Sequence, residues 1–374
     1  MNETAITYDF LVIGAGIAGA SAAYELTREG ASVLLAEMED RPGYHTTGRS
    51  AAIFTENYGN AAIRALTSAS RAFFEGPPDG FCNHPLLSPR GALMVADQQT
   101  ADELVTDPKT LEVGADEINQ LSPLVGPDFS YRGVWESGAS DIDVDALLQG
   151  YLKGFRQTGG RLVTDAEIRS LSRTDEGWRV MTRAGDFTAT VVINAAGAWA
   201  DQIAELAGTK SVGLIPRRRT GLTIDPGQSP AQWPLTVAAD ESWYFKPEAG
   251  DLMISPADET PSPPCDAQPD EMDIALCIER IEAATSLKIG RLISKRAGLR
   301  SFVADKSMVC GYANDVKGFF WLAGQGGYGI QTAPAMGRIA AALALHREMP
   351  ADITAFGVAA DQLAPTRAIL EVDG

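Results

Sequence analysis

Residues 10–19 read FLVIGAGIAG, and this stretch decides the fold of the chain. The apolar, largely β-branched run Phe10–Ile13 predicts a buried strand that leads directly into a glycine-rich turn. Small and apolar residues then recur at helical spacing from Ala22 to Leu26, and Gly30 is a suitable residue to end that helix. A strand, a tight turn and a helix therefore follow one another within about twenty residues.

Each glycine of the G-x-G-x-x-G turn has a physical role in binding a dinucleotide. Gly14 permits the tight turn, Gly16 lets the backbone approach a pyrophosphate, and Gly19 allows the helix to pack closely on the strand. The N-terminus of the helix offers free N–H groups and a positive dipole to phosphates. A second predicted strand, Ser32–Ala36, ends at Glu37, whose carboxylate suits an adenosine ribose and disfavours the extra phosphate of NADP. The sequence therefore predicts a dinucleotide site.

Length and composition exclude several other classes of protein. A chain of 374 residues is long enough for two domains, and its net charge of −18 disfavours binding to nucleic acid or to an anionic membrane surface. The three histidines and four cysteines are scattered without a CxxC pair, so we expect neither a metal site nor a disulfide framework. Met1–Asp9 does not resemble a signal peptide and no apolar stretch approaches membrane-spanning length. We expect a cytoplasmic protein.

Three further glycine-punctuated segments favour FAD over NAD as the dinucleotide. Residues 41–52 form a polar loop in which Ser50 is predicted to cap the following helix. Residues 191–200 form a strand that ends in small residues. The predicted strand Phe319–Ala323 leads into a second glycine-rich turn, Gly324–Gly329, and then into a helix of small residues. Two such turns at opposite ends of the chain suit a long ligand, and a plain NAD-dependent dehydrogenase has no use for the second.

Eight motifs spread over nearly the whole chain carry a family resemblance. They are GAGIAGAS (14–21), PGYHTTGRSAA (42–52), RALTSASRAFFE (64–75), FCNHPLLSPR (81–90), SDIDVDALLQGYL (140–152), VINAAGAWAD (192–201), GLRSFVAD (298–305) and GGYGIQT (326–332). On these motifs the chain resembles the FAD-dependent D-amino-acid oxidase superfamily, and within it the D-arginine dehydrogenase type.

The resemblance implies an α/β fold with two discontinuous domains. A Rossmann-like FAD-binding domain would comprise residues 1–55, 141–215 and 296–374. A substrate-binding domain built on an antiparallel sheet would comprise residues 56–140 and 216–295. The segment 226–234 and the stretch 256–269, rich in proline, aspartate and serine, are predicted to be surface loops. Met272–Ala284 is predicted to be a helix that covers the second sheet.

The FAD site implied by the resemblance draws residues from every part of the first domain. They are Gly14, Gly16, Ile17, Ala18, Gly19, Glu37, His45, Thr47, Gly48, Arg49, Ser50, Ala51, Ala196, Gly197, Trp199, Gly326, Gly327, Tyr328, Gly329, Ile330 and Gln331. Some members of the superfamily bind the flavin covalently through a cysteine. Cys310 falls after the position of that tether, so we expect non-covalent FAD.

The shortage of histidine fits a reaction whose difficult step belongs to the cofactor. The resemblance implies that hydride passes from the substrate Cα to flavin N5, and that water hydrolyses the resulting imine to a 2-oxo acid and ammonia. An α-carboxylate needs a bidentate clamp, for which arginine is the strongest residue. Arg300 matches the carboxylate arginine of the family, and either Arg218 or Arg219 assists it, because strand alternation lets only one of the pair face the site.

Three more residues match positions that contact the substrate in this family. Tyr58 and Tyr244 would each offer a rigid apolar wall and one hydroxyl group. Gly327 would offer its backbone carbonyl to the substrate amine. Ile53 and Ala92 stand where the D-arginine dehydrogenase type has a histidine and a glutamate. The sequence thus predicts a preference for neutral or apolar D-amino acids, since an unpaired guanidinium in an apolar pocket is costly.

Two alternatives remain open at this point. The same carboxylate clamp would serve an FAD-dependent oxidase of secondary amines such as sarcosine or N-alkyl glycines. From another class, the chain could be a non-catalytic FAD-binding subunit of an amine-oxidising complex. The sequence does not distinguish oxygen, a quinone or a protein as the electron acceptor.

Overall fold

The computed structural model describes residues 7–367 and residue 370 of the chain. The outermost residues of the predicted first domain, 1–6 and 371–374, lie outside the described residues. So does most of the segment Met1–Asp9, on which the expectation about a signal peptide rests.

The described residues contain strands of two to ten residues. In chain order they are β1 Thr7–Ile13, β2 Val33–Ala36, β3 Ile53–Phe54, β4 Leu87–Pro89, β5 Ala92–Ala96, β6 Leu111–Val113, β7 Arg132–Glu136, β8 Ser140–Ile142, β9 Arg161–Val163, β10 Ile168–Thr174, β11 Gly177–Thr182, β12 Gly185–Asn194, β13 Ile215–Ile224, β14 Leu235–Ala238, β15 Tyr244–Glu248, β16 Asp251–Ser255, β17 Thr260–Pro261, β18 Ser294–Phe302, β19 Val309–Tyr312 and β20 Phe319–Ala323.

Helices connect these strands and cover their faces. They are α1 Ile17–Arg28, α2 Ala61–Glu75, α3 Ala115–Leu121, α4 Val144–Gln157, α5 Ala200–Ala207, α6 Glu271–Ala284, α7 Gly329–Ala344, α8 Ala351–Thr354 and α9 Ala360–Leu363. Short 3₁₀ turns occur at Thr47–Arg49, Ala101–Glu103, Pro127–Phe129 and Gly197–Trp199.

The first sheet has a parallel core built from strands that are distant in sequence. Its order is β20-β12-β1-β2-β9, all parallel, and β10, β11 and β19 extend it by antiparallel pairing. Helices α1, α4 and α7 cover one face and α5 packs on the other. Helices α1 and α7 approach closely because their contact is made of small residues: a Cβ on Gly337 would lie 2.9 Å from the Cβ of Ser21.

The second sheet is mainly antiparallel and contains one parallel pair. Its order is β18-β13-β16-β15-β14-β5-β7-β6, with β17 beside β13, and β14 runs parallel to β5. Helices α3 and α6 pack their apolar residues on its outer face, as predicted for α6. A small third sheet has the order β3-β8-β4. The predicted fold class, a Rossmann-like domain with an antiparallel second domain, is confirmed.

Two elements lie on the other side of the domain boundaries predicted from the sequence. Strand β18 was placed in the first domain from residue 296 onward, but it pairs with β13 from Ile215–Phe302 to Thr223–Ser294 and belongs to the second sheet. Helix α2 was placed in the second domain, but Ile63, Leu66 and Phe74 are buried in the core of the first. Both errors concern long-range contacts that local pattern does not encode.

One predicted surface loop also contains regular structure. Within residues 256–269, Thr260–Pro261 forms β17 and pairs with Arg217 and Arg218, and Asp258 is buried. The Asp258 carboxylate accepts hydrogen bonds from the Thr220 backbone N–H (2.6 Å) and hydroxyl (3.1 Å). This segment therefore supports β13, the strand that carries the three consecutive arginines.

Candidate active site

The turn between β1 and α1 is closely packed against the end of β12. Gly14 has a φ of +98°, and a Cβ there would lie 2.5 Å from the carbonyl oxygen of Ala195. A Cβ on Gly19 would lie 1.9 Å from the carbonyl oxygen of Gly14. Only glycine fits at these two positions, so the turn and the helix contact follow from the motif as predicted.

Glu37 lies at the end of β2 and beside this turn. Its side chain is buried, and its carboxylate accepts hydrogen bonds from the backbone N–H groups of Ala15 (2.8 Å) and Glu39 (3.1 Å). Burial raises the pKa of Glu37, and these two N–H groups oppose part of the rise. Glu37 also lines the crevice that begins here, which is the position predicted for a ribose-binding acid.

A crevice runs from Glu37 along the carboxyl ends of the parallel strands. At the end of the crevice beside Glu37, the ring centres of His45 and Trp199 are 4.6 Å apart, and His45 Nε2 is 2.9 Å from the Glu39 carboxylate. The crevice is continuous from this end to the part that reaches the second glycine-rich turn, because both parts share six lining residues: Gly16, Thr46, Thr47, Ala195, Gly197 and Ala198. Ligands of open α/β sheets bind at this edge.

The polar loop 41–52 follows the crevice but does not start a helix. After the 3₁₀ turn Thr47–Arg49 the chain extends into β3, and Ser50 accepts a hydrogen bond from the Ala52 N–H at 3.2 Å. The prediction that Ser50 caps a helix is therefore wrong. The next helix, α2, is capped by Asn60, whose Oδ1 accepts the Ile63 N–H at 3.0 Å.

The second glycine-rich turn brings the N-terminus of α7 to the far end of the crevice. Gly326, Gly327, Gly329 and Ile330 line it, and no side chain caps the helix. Helix α1 is likewise uncapped by a side chain where Gly16, Ile17 and Ala18 line the crevice. Two helices thus direct positive dipole ends at one groove.

Four residues predicted for the cofactor site lie elsewhere. Gly19 packs on Gly14, and Gly48 packs on Gly43, where a Cβ would lie 2.6 Å from the carbonyl oxygen. Tyr328 does not line the crevice, and its ring packs 5.0 Å from the ring of Tyr58. Gln331 lines the adjoining cavity and not the crevice; its Nε2 donates to Thr67 Oγ1 at 2.9 Å. The other predicted residues line the crevice.

A second cavity opens from the end of the crevice beside Gly327. Ser50, Ala51, Arg219, Tyr244, Arg300, Gly327 and Ile330 line both spaces. Arg300 lies on β18 and its Nη1 donates to the Tyr58 hydroxyl at 3.5 Å. A Cβ on Gly327 would lie 2.9 Å from the same nitrogen, so the absence of a side chain there leaves room for the guanidinium.

Tyr244 and Arg219 complete this cationic end. The Arg219 guanidinium lies 5.9 Å from the centre of the Tyr244 ring and donates to the Asp258 carbonyl (2.9 Å) and the Glu259 carboxylate (3.2 Å). Burial alone would raise the pKa of Tyr244, but the charges of Arg300 and Arg219 outweigh it and lower the pKa below its usual value.

Arg218 points to the opposite face of β13. Its Nη2 lies 2.8 Å from the carboxylate of Asp273 on α6, and Arg218 does not line the cavity. The alternation expected from the sequence thus brings Arg219, and not Arg218, to the cavity with Tyr58, Tyr244, Arg300 and Gly327.

Neighbouring strands of the second sheet supply the rest of the cavity wall. Ala92 pairs with Glu136 on one side and Leu235 on the other, and Met94 pairs likewise with Val134 and Val237. All six line the cavity, as does Ile53 on β3. Ile53 and Ala92 were identified from the resemblance. The others were missed, because their side-chain direction depends on strand register, which the sequence does not reveal.

Cys310 lies away from both spaces. It is buried in β19 within the core of the first domain and does not line the crevice or the cavity. Burial raises the pKa of its thiol. Both facts favour the predicted non-covalent cofactor, because a tether requires an accessible thiolate.

No helix within the described ranges is long and apolar enough to cross a membrane.

The fold and the crevice together define a dinucleotide-binding protein with a second, side-chain-lined cavity. The model of the FAD dependent oxidoreductase family, DAO, matches residues 9–343, and the chain belongs to this family. The predictions of the superfamily, of an oxidoreductase and of FAD as its cofactor are confirmed.

Curated relatives share part of their length with this chain. It is 31% identical over 229 residues to the bifunctional tRNA 5-methylaminomethyl-2-thiouridine biosynthesis protein of Shewanella amazonensis. The aligned region covers 56% of this chain and 32% of that protein. It is 24% identical over 385 aligned residues to human mitochondrial dimethylglycine dehydrogenase, covering 92% of this chain and 43% of that protein. The chain therefore spans less than half the length of these relatives.

Solved structures match the chain over nearly its whole length. Glycine oxidase from Geobacillus kaustophilus has a TM-score of 0.78 at 20% identity, covering 94% of this chain and 98% of that one. L-proline dehydrogenase from P. horikoshii has a TM-score of 0.80 at 18% identity, covering 96% and 97%. These likenesses concern the fold.

The residues of the crevice fit FAD. The closely packed turn at Gly14 and the uncapped N-termini of α1 and α7 suit a pyrophosphate and a ring that becomes negative on reduction. The buried acid Glu37 suits the ribose. These residues would hold the FAD of this family in the crevice.

Proposed function

We propose that this protein oxidises D-amino acids with neutral, mainly apolar side chains to 2-oxo acids and ammonia. The family supports an FAD-dependent oxidoreductase of amino-acid or amine substrates. The D configuration and the neutral side chain are the finer parts of the proposal.

The observation that carries the proposal is the state of the Arg300 guanidinium. It is half-buried where the crevice and the cavity meet, and it forms no ion pair with any carboxylate within residues 7–367. Arg219, in contrast, pairs with Glu259. A partly desolvated arginine without a protein counter-ion suits an anionic ligand, and its planar fork matches a carboxylate.

The surrounding residues would orient an amino acid bound to this arginine. The hydroxyl groups of Tyr58 and Tyr244 lie beside Arg300 and would donate to the α-carboxylate. The backbone carbonyl of Gly327 would accept from the amine, as the family resemblance implies. Bound FAD would accept the hydride from the substrate Cα.

The cavity wall supports the preference for a neutral side chain. Ile53 and Ala92 replace the histidine and glutamate of the D-arginine dehydrogenase type, and Met94, Val134 and Val237 extend the apolar surface. A guanidinium would find neither of those two partners at these positions, and an unpaired guanidinium loses several kcal/mol relative to water. The preference for D-amino acids rests on the motif resemblance.

Anaerobic reduction of the bound flavin tests the proposal directly. The purified protein is mixed with D- and L-amino acids and with sarcosine, and loss of the visible flavin absorbance is followed. We expect fast reduction by D-Leu, D-Met and D-Val, and slow reduction by D-Arg and by L-amino acids. Readmitting air then shows whether oxygen reoxidises the flavin.

Each other outcome favours one of the alternatives. The highest kcat/KM with D-Arg would refute the side-chain preference. The highest kcat/KM with sarcosine would favour a secondary-amine oxidase. No reduction by any compound, in a protein that holds FAD, would favour a non-catalytic subunit.

A further inference from the structure

Two carboxylates line the cavity, and of these Glu136 is buried whereas Glu241 is exposed. Glu136 ends β7 and lies six strands away from the strand of Arg300 in the order of the second sheet. It is buried, only 6% exposed, and it lines the cavity. Its cross-strand neighbour is Ala92. The cavity therefore has a cationic end and, near the opposite edge of the sheet, an anionic one.

Glu136 is held as a hydrogen-bond acceptor. Its Oε2 accepts from the Thr55 hydroxyl at 2.6 Å, and its Oε1 accepts from the Glu56 N–H at 3.0 Å. Within residues 7–367 Glu136 forms no ion pair, whereas the adjacent Glu56 pairs with Arg71 and Lys109. Each carboxylate oxygen can accept a second hydrogen bond, so Glu136 retains acceptor capacity toward the cavity.

A second acceptor lines the same cavity and has no partner. The Nδ2 of Asn57 donates to the Val105 carbonyl at 3.3 Å, but its Oδ1 is buried without any hydrogen bond to the described residues. Buried polar atoms in native proteins are normally satisfied, by protein, water or ligand. Because this oxygen exposes almost no surface to the cavity, Glu136 is the acceptor that a ligand in the cavity would reach.

We propose that Glu136 sets the side-chain specificity of the site, by accepting a hydrogen bond from a long substrate side chain that ends in a donor, and by excluding side chains that end in a carboxylate. D-Gln is the simplest substrate of the first kind and D-Glu of the second. This inference rests on the proposed function, which places the α-carboxylate at Arg300.

The two parts of the proposal follow from the same charge. A D-Gln side chain would present its amide N–H group to the acceptor Glu136. A D-Glu side chain of nearly equal size would place a second anion beside a buried carboxylate that has no counter-ion. Like charges brought together in a desolvated site are strongly unfavourable. Size and shape are matched between the two substrates, so their comparison isolates the charge.

The test compares D-Gln, D-Glu and D-Met in the wild-type holoenzyme and in Glu136→Gln. In the wild type we expect kcat/KM for D-Glu to be at least about 100-fold below that for D-Gln. Glu136→Gln keeps the shape of the side chain and removes its charge. We expect it to narrow the D-Gln to D-Glu ratio by at least about tenfold and to leave D-Met within about threefold of the wild type.

Glu56→Gln is the matched control. Glu56 donates its backbone N–H to Glu136, and its own buried carboxylate does not line the cavity, so its variant reports the general effect of neutralising a neighbouring buried carboxylate. We expect it to leave the D-Gln to D-Glu ratio unchanged. FAD content is measured for each protein so that rates refer to holoenzyme.

Several outcomes would overturn the role of Glu136 in specificity and leave the proposed function standing. Equal use of D-Gln and D-Glu by the wild type would do so even if Glu136→Gln does not fold. An unchanged ratio in a folded Glu136→Gln, or the same change in Glu56→Gln, would also do so. Failure of every D-amino acid to reduce the flavin would instead overturn the proposed function.

Discussion

The crevice and the cavity recognise their ligands with different parts of the chain. The crevice depends largely on backbone: a turn at Gly14 that tolerates no side chain, and two helix N-termini without side-chain caps, with Glu37 as its buried acid. The cavity is formed by side chains from β3, β5, β7, β13, β14, β15 and β18. The first site is built by local sequence and the second by strand pairing over long distances.

The difference means that the two sites respond to different changes. Backbone recognition fails when a side chain is added, because the main chain has to move. Side-chain recognition fails when a group is removed or its charge is altered. Variants that separate cofactor retention from substrate turnover therefore test whether the two sites are distinct.

The largest expected effect is the loss of FAD on Gly14→Ala. The new Cβ would meet the Ala195 carbonyl oxygen at 2.5 Å in a backbone conformation that disfavours alanine. We expect the purified variant to be colourless, with a lower midpoint of thermal unfolding.

Gly30→Ala is the control for backbone strain alone. Gly30 has a φ of +88°, but nothing lies within 4 Å of its Cβ position. It should lose about 1 kcal/mol of stability and retain FAD. Full FAD occupancy in Gly14→Ala would contradict the backbone account of the crevice.

Arg300→Leu should have the next largest effect. It should lower substrate turnover without changing FAD binding. Removal of the guanidinium should lower kcat/KM by about 100- to 1000-fold, because a desolvated charge-assisted pair is lost. The visible flavin spectrum of the purified protein should show unchanged FAD content. Arg300→Lys keeps a charge without the planar fork, so part of the activity should return. If Arg300→Leu turned over normally, the carboxylate would bind elsewhere.

A smaller effect should separate the two adjacent arginines of β13. Arg219→Leu should lower kcat/KM by about tenfold, because it removes positive charge from the cavity. Arg218→Leu should change kcat/KM by less than about twofold but lower the free energy of unfolding by about 1–3 kcal/mol, since Asp273 loses its partner. The reverse pattern of kinetic effects would contradict the observed strand faces.

The smallest effect concerns pH and the Tyr244 hydroxyl. Arg300 and Arg219 lower its pKa, so its phenol ionises at a lower pH than usual. The phenolate would repel a carboxylate and neutralise Arg300, so binding should weaken as pH rises. Isovalerate, which has no amine, should show a Kd that increases several-fold between about pH 7 and pH 10, followed by the flavin spectrum. Tyr244→Phe should abolish the increase, and an unchanged pH dependence would exclude Tyr244 as its source.

The sequence predicts the crevice better than the cavity because the crevice depends on neighbours in the chain. Gly14 and Glu37 lie within one strand–turn–helix–strand unit, and their positions follow from it. Ser50 was misplaced because a polar, glycine-rich loop is compatible with either a helix or an extended segment. The boundary at residue 296 failed because the partner of β18 is some eighty residues away.

The cavity required register that no local pattern contains. Alternation correctly limited the arginine pair to one inward side chain, but the face of β13 that packs on Asp273 had to be seen in the structure. Glu136 gave no signal, since a lone glutamate near the end of a strand is common on protein surfaces. Its burial follows from pairing with Ala92 and from the hydroxyl of Thr55.

The strand order of the second sheet has a consequence for how this enzyme can change. Arg219, Tyr244 and Arg300, at the carboxylate end, lie on β13, β15 and β18, while most of the residues facing the substrate side chain lie on β5, β7 and β14. Substitutions in the second group can alter which amino acid is accepted, while the residues that bind the α-carboxylate stay unchanged. Substrate specificity can therefore change through mutations in the half of the sheet that contains β5, β7 and β14, without changes at the residues proposed to bind the α-carboxylate.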